Sequence, residues 1–247
     1  MHSNDNNFGA PWSVRTTIPI LSFYLLLVLP GKNIFFPTNP WLFKYIDSIY
    51  FSVIILFALY RLNIKILGFS IKYLKNDLLI GFLSGGGLLF CLFLLNFGID
   101  LTGLADHDLF NNRPDAKSFI YMGSTAEYVG ILLIIPFIEQ VFFTGIIFQS
   151  LLKKINPILA IYASGIIYSL AGFKLSLGAF GLGVITSFLF KSTKTIYSSI
   201  IFHASCAAGG VIIKSVYPRV NTFDNHSSCC TTYMENDGRI KRFSRFK

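Results

Sequence analysis

Apolar positions along the chain fall in long continuous runs, without the strict alternation with polar residues that marks half-buried strands. The runs cover 17–29, ending at Pro30 and Gly31, then 48–60, 78–97, 128–148, 159–173, 177–190 and 196–213. Short polar joints separate the later ones at Lys153 and Lys154, Lys174 to Ser176, and Lys191 to Lys194. A helical crossing of a bilayer needs roughly 20 apolar residues, because each backbone N–H and C=O in lipid must find its partner within the helix. The pattern predicts an all-α, multi-pass transmembrane helix bundle of about seven helices over residues 1–214. The first, second and sixth runs are the shortest. Residues 215–247 are polar, lack periodicity and end in a basic cluster, and are expected to form a flexible tail.

Composition agrees and excludes an ordinary soluble domain: 53% of the 247 residues are hydrophobic and 13% charged, with a mean hydropathy of +0.59. A formal net charge of +9 would suit nucleic acid, but the basic residues are scattered through joints at helix ends. Topology and anionic lipid explain them, so lipid is the expected contact and nucleic acid is not. Cytoplasmic loops retain Lys and Arg. A cytoplasmic N-terminus puts Arg61, Lys65, Lys72, Lys75, Lys153, Lys154, Lys191 and Lys194 inside and the acidic stretch of Asp100, Asp106, Asp108 and Asp115 outside. An odd number of crossings then leaves Arg239, Lys241, Arg242, Arg245 and Lys247 outside, against the same rule. The polar, Asn-rich start reads as a short cytoplasmic arm of a cell-membrane protein and not as a cleaved signal.

Ionisable groups in mid-membrane cost a few kcal/mol and call for a reason. Two stand out. Glu139 lies midway along the fourth run beside Gln140, and His203 lies inside the last. Taken singly, each reads as a hydrogen-bonded packing residue; taken together, a carboxylate and an imidazole from different helices suggest one shared polar site able to activate water. His107 reads as a solvated loop residue, and His2 and His226 lie in the termini. Cys91 and Cys206 read as small core residues. Cys229 and Cys230, beside His226, lack metal-ligand spacing, and no His-Glu-x-x-His occurs. No metal and no cofactor is expected.

The stretch from Glu139 to Gly145 resembles the first signature of the CAAX prenyl protease and bacteriocin-processing family of intramembrane proteases, Glu-Glu-x-x-x-Arg with a flanking Phe and Gly. Glu139, Phe143 and Gly145 match it, while Gln140 stands for the second Glu and Thr144 for the Arg. In the stretch that resembles the second signature, Phe-x-x-x-His, Tyr168 stands for the Phe and Gly172 for the His. The third signature, His followed four residues on by a polar residue, maps onto His203 and Ala207 after a Gly-rich helix. The resemblance covers about residues 120–213 and implies a CAAX-protease-type bundle. It implies Glu139 as the base that activates water and His203 as oxyanion or proton partner, acting on a membrane-embedded or prenylated peptide. With Gly172 and Ala207 in place of the other two groups, it implies a protease that is weak or inactive. Its role is then binding of a peptide, a lipid or another membrane protein, as in regulation or immunity.

Other readings stay open. Full intramembrane endopeptidase activity through Glu139 and His203 is one. Another is a rhomboid-like serine protease, since Tyr162-Ala163-Ser164-Gly165 resembles the rhomboid serine motif and His203 would partner Ser164. The small residues there are equally suited to close helix packing. A proton-coupled transporter would use the same Glu and His, but the paired broken helices it calls for are not seen. The small-residue pattern from Gly81 to Gly87 predicts helix packing within the chain.

Overall fold

The computed structural model describes residues 12–36, 38–61, 64–101, 128–171 and 177–216. They form seven helical rods, with no strand among the described residues: α1 (Val14–Phe35), α2 (Pro40–Arg61), α3 (Leu74–Leu101), α4 (Gly130–Leu152), α5 (Pro157–Ala171), α6 (Leu177–Thr193) and α7 (Tyr197–Val216). A single 3-10 turn, Ile64–Leu67, joins α2 towards α3. The first four are long and apolar enough to cross a membrane, and the last three are apolar over shorter stretches. The chain is an all-α membrane bundle with one rod for each predicted run. The N-terminal arm, the acidic loop with His107, Gly172, and the tail from residue 217 with His226, Cys229 and Cys230 lie outside the described residues.

The joint between the first two runs differs from expectation. The pattern stops the first run at Pro30 and starts the second at residue 48, yet α1 continues through Pro30 to Phe35 and α2 begins at Pro40. Proline lacks an N–H, and its ring collides with the carbonyl four residues back. The helix absorbs that collision in a widened π turn, Tyr24–Val28, which contains Leu26, the residue four before Pro30. The same device recurs in α4, where the π turn Gly130–Ile134 contains Leu132, four before Pro136. The polar residues of the joint stay helical because they neutralise each other: Lys32 Nζ lies 2.6 Å from Asp47 Oδ2.

Side-chain ties fix which helix ends share a face. Thr17 at the start of α1 donates to Ser150 near the end of α4 at 2.9 Å. The Ile196 N–H, just before α7, donates to the Gly68 carbonyl at 3.0 Å, and Thr195 donates to Asp77 of α3 at 2.8 Å. These ties gather the ends that carry Arg61, Lys65, Lys72, Lys75, Lys153, Lys154, Lys191 and Lys194, so one face of the bundle is basic. The Lys32–Asp47 pair, and a hydrogen bond from Tyr24 to the Ala171 carbonyl, lie towards the opposite face.

Two close contacts between small residues set the arrangement around the site. α3 and α7 run parallel. A Cβ on Gly81 would stand 2.6 Å from the Ser198 carbonyl oxygen, and one on Gly85 would stand 2.5 Å from Ser205 Cβ, whereas Gly86 and Gly87 meet nothing within 4 Å. α5 and α6 approach through Gly165 and Gly183, where a Cβ on Gly183 would lie 2.9 Å from the Gly165 Cα and 2.8 Å from Tyr168 Cβ. α4 runs through the middle, buried at every position from Val141 to Ser150. Its Phe142 stacks on Phe51 of α2, ring centroids 4.3 Å apart.

Candidate functional site

Glu139 and Gln140 end the short α-helical stretch of α4 that starts at Ile135, and a second π segment, Val141–Phe148, follows directly. Side chains that α-helical geometry would fan apart are thereby re-aimed, and such widened turns recur at functional sites. Glu139 and Gln140 meet α5 through Tyr168 and α7 through His203, and all four residues are buried.

The groups form one connected network. The Tyr168 hydroxyl donates to Glu139 Oε2 at 2.5 Å. His203 Nε2 lies 3.9 Å from the same oxygen, beyond a direct hydrogen bond. On the other edge of the imidazole, Gln140 Nε2 donates to His203 Nδ1 at 3.1 Å, and Thr144 Oγ1 donates to Gln140 Oε1 at 2.7 Å. An amide nitrogen cannot accept, so Nδ1 is the acceptor and the ring proton sits on Nε2, facing the carboxylate. Thr144 tethers the amide, and the amide nitrogen turned towards the ring selects the Nε2–H tautomer. The Tyr168 and His203 rings meet nearly perpendicular, 6.1 Å between centroids, and Phe143 packs edge-on against Tyr168 at 4.8 Å.

Accessibility is uneven. His203 is fully enclosed, while the Glu139 side chain keeps 9% of its surface. Above the site, Leu133, Ile134 and Phe137 of α4 are exposed, as is Val129 just before it, while below the site nothing on that helix is exposed. Of the pair, only the carboxylate keeps any exposed surface. α2 packs against the segment of α4 that carries Glu139, and Glu139 is within electrostatic range of Asp47 and Lys32.

Of the residues singled out in the sequence, Glu139, Gln140, Thr144 and His203 come together. Ala207 is buried one turn beyond His203 and offers only a methyl group. Ser164 is held elsewhere: its hydroxyl accepts a 2.8 Å hydrogen bond from Ser187 of α6, and among the described residues no hydrogen bond joins it to His203. Among the described residues no group of three or more His, Cys, Asp or Glu gathers, so Glu139 and His203 would offer an ion only two ligands.

Two contributors are not legible in the sequence. Tyr168 reads there only as a stand-in for Phe, although a phenol on an apolar helix needs a hydrogen-bond partner once buried, and that need is the available signal. The Lys32–Asp47 pair falls in what reads as a loop, and nothing in the local pattern marks those two residues as partners.

One family model matches the chain. It is described as Rce1-like, type II CAAX prenyl endopeptidase Rce1-like, and covers residues 122–209. That span holds Glu139, Gln140, Thr144, Tyr168, His203 and Ala207 and excludes Lys32 and Asp47. No curated protein and no solved structure is similar to the chain at a significant level.

Proposed function

With residues 122–209 an Rce1-like region in an all-α membrane protein, we propose that this CAAX-protease-like chain binds a membrane-embedded or prenylated peptide at Glu139 and His203 and cleaves it slowly or not at all. Its role is then one of binding: regulation of another membrane protein, or immunity to a peptide. The observation that carries this reading is the closed network around His203. Gln140 and Thr144 satisfy one edge of the ring, Tyr168 occupies one oxygen of Glu139, and position 207 supplies no second donor. Such a site is well built to hold its groups still and poorly built to stabilise an oxyanion. Loss of one such donor costs roughly 3 kcal/mol of barrier, on the order of 10²–10³ in rate. The setting is a cell membrane with the N-terminus in the cytoplasm, supported by the basic face.

A second reading, active endopeptidase, is favoured by one distance. The 3.9 Å between Glu139 Oε2 and His203 Nε2 admits a water bonded to the carboxylate, with the Nε2–H directed at the carbonyl it would attack. Glu139 would take the water proton as the C–O bond forms, Nε2–H would donate to the developing oxyanion, and the proton on Glu139 would pass to the departing amine as the C–N bond breaks.

Cleavage of a panel of membrane and prenylated peptides by the purified protein in lipid separates the two. Wild-type cleavage that Glu139→Ala abolishes establishes the protease. A silent wild type that still binds the peptides, with cleavage appearing in a Gly172→His plus Ala207→Asn variant, establishes the binding role. Peptides that neither bind nor are cut would overturn both.

A further inference from the structure

The pair formed by Lys32 and Asp47 lies outside the Rce1-like span and has no part in the network around His203, yet α2, which carries Asp47, packs against the segment of α4 that carries Glu139. Three observations bear on it. Asp47 is buried and gives one carboxylate oxygen to Lys32, while its other oxygen, Oδ1, is buried with no hydrogen-bond partner among the described residues. The hydroxyl of the next residue, Ser48, is buried and unpartnered among them as well. A desolvated acceptor left bare costs about 1–3 kcal/mol, more when charged, so a bare carboxylate oxygen is placed for a donor that arrives from elsewhere.

The second consideration is direction. Lys32 is three residues from the end of α1 and Asp47 seven from the start of α2, both towards the face opposite the basic one. Tyr168 is likewise three residues from the end of α5 that lies on that side. The half of α4 between that side and Glu139 exposes Leu133, Ile134 and Phe137, while the half towards the basic face is sealed from Val141 to Ser150. Lys32 keeps 17% of its side chain exposed, against 10% for Asp47 and 9% for Glu139, so the lysine is the more open member of the pair. The bare Oδ1 is an acceptor, which favours a donor or cation over an anion.

We propose that the site is entered from the face opposite the basic one, past Lys32 and Asp47, and that Asp47 Oδ1 takes an ammonium or N–H donor of the bound peptide. This deepens the binding reading above and rests on it for the nature of the ligand, but not for the face of entry. The ligand is then a peptide with a cationic residue on the segment that leads into the membrane from that side.

Two experiments test it on the full chain in lipid. In a background lacking Cys91, Cys206, Cys229 and Cys230, single cysteines are made by Glu139→Cys and by Asp47→Cys, the latter with Lys32→Gln so that no unpaired cation remains. Asn33→Cys and Lys153→Cys mark the two faces. A membrane-impermeant sulfonated maleimide is applied to right-side-out and inverted vesicles. Modification of both site cysteines from the side that modifies Asn33→Cys is expected. Modification from the side of Lys153→Cys, or from neither, overturns the proposal. The second experiment measures binding to nanodiscs of a fluorescent single-spanning peptide carrying one juxtamembrane lysine, against its glutamine counterpart. The lysine peptide is expected to bind about tenfold tighter, with the difference lost in Asp47→Asn. Equal binding of the two by the wild type overturns the Asp47 contact with the binding reading intact. Binding of neither ends the binding reading and the Asp47 contact together, and leaves the face of entry to the cysteines.

Discussion

The Tyr168 hydroxyl donates to Oε2 of Glu139 at 2.5 Å, on the oxygen that also faces His203 Nε2. One carboxylate oxygen thus anchors α4 to α5 and orients α4 towards α7. The donor comes from the residue that stands where the related signature carries Phe, four residues before Gly172, which stands where that signature carries His. The phenol supplies the carboxylate with a hydrogen, as an imidazole can.

Tyr168→Phe keeps the ring packed against Phe143 and removes only the donor. Removing one partner of a buried hydrogen bond costs about 1–3 kcal/mol. The expected result is a clear fall in thermal unfolding temperature in lipid, with Tyr168→Ala falling further because a cavity adds to it. Equal melting of wild type and Tyr168→Phe would mean that the carboxylate finds another donor.

Gln140→Leu conserves volume but takes the donor from His203 Nδ1 and the acceptor from Thr144. The imidazole then loses the bond that holds its proton on Nε2. Nitrogen-15 spectra of histidine-labelled protein should show His203 as the Nε2–H tautomer in the wild type and a mixture of tautomers in Gln140→Leu. A variant that keeps the single tautomer would show that the carboxylate alone orients the ring.

The sequence exposed the bundle readily because lipid imposes one rule on every crossing: apolar runs long enough to satisfy their own backbone. It exposed Glu139 and His203 for the converse reason, since an ionisable group in such a run is costly enough to notice. Lys32 and Asp47 were hidden because they border two runs, where charge is ordinary, and only the passage of α1 through Pro30 carries Lys32 up to Asp47. Gln140 and Thr144 read as losses from a signature, a carboxylate and a cation missing. In the folded chain they are four residues apart on α4 and bonded to each other, so the two substitutions belong together: the amide needs no counter-charge and the hydroxyl satisfies its far end.

Gly81 and Gly86 lie five residues apart on α3 and should respond to alanine with opposite signs. Gly86→Ala meets nothing within 4 Å and removes the backbone freedom of glycine, so it is expected to be neutral or to stabilise by up to about 1 kcal/mol. Gly81→Ala sets a methyl group 2.6 Å from the Ser198 carbonyl oxygen and must push α7 away, at a cost of about 1–3 kcal/mol. Because Ser198 precedes His203 on the same helix, Gly81→Ala should also weaken peptide binding, whereas Gly86→Ala should leave it unchanged. Unfolding in lipid and binding on the same samples decide both halves.

The Lys32–Asp47 pair allows a separation of stability from function. Lys32→Met leaves Asp47 as an uncompensated carboxylate with a second oxygen already bare, and breaking a buried pair this way costs about 3–5 kcal/mol, less here to the extent that water reaches Lys32. Lys32→Met with Asp47→Leu removes both charges and should recover most of that loss, because two apolar side chains fit this setting as well as an ion pair does. If the pair served only to let α1 and α2 extend past their polar joint, the double variant would bind peptide as well as the wild type. Stability restored without binding would assign the pair to the site, and a double variant no more stable than Lys32→Met would show that the two charges do not act as a pair.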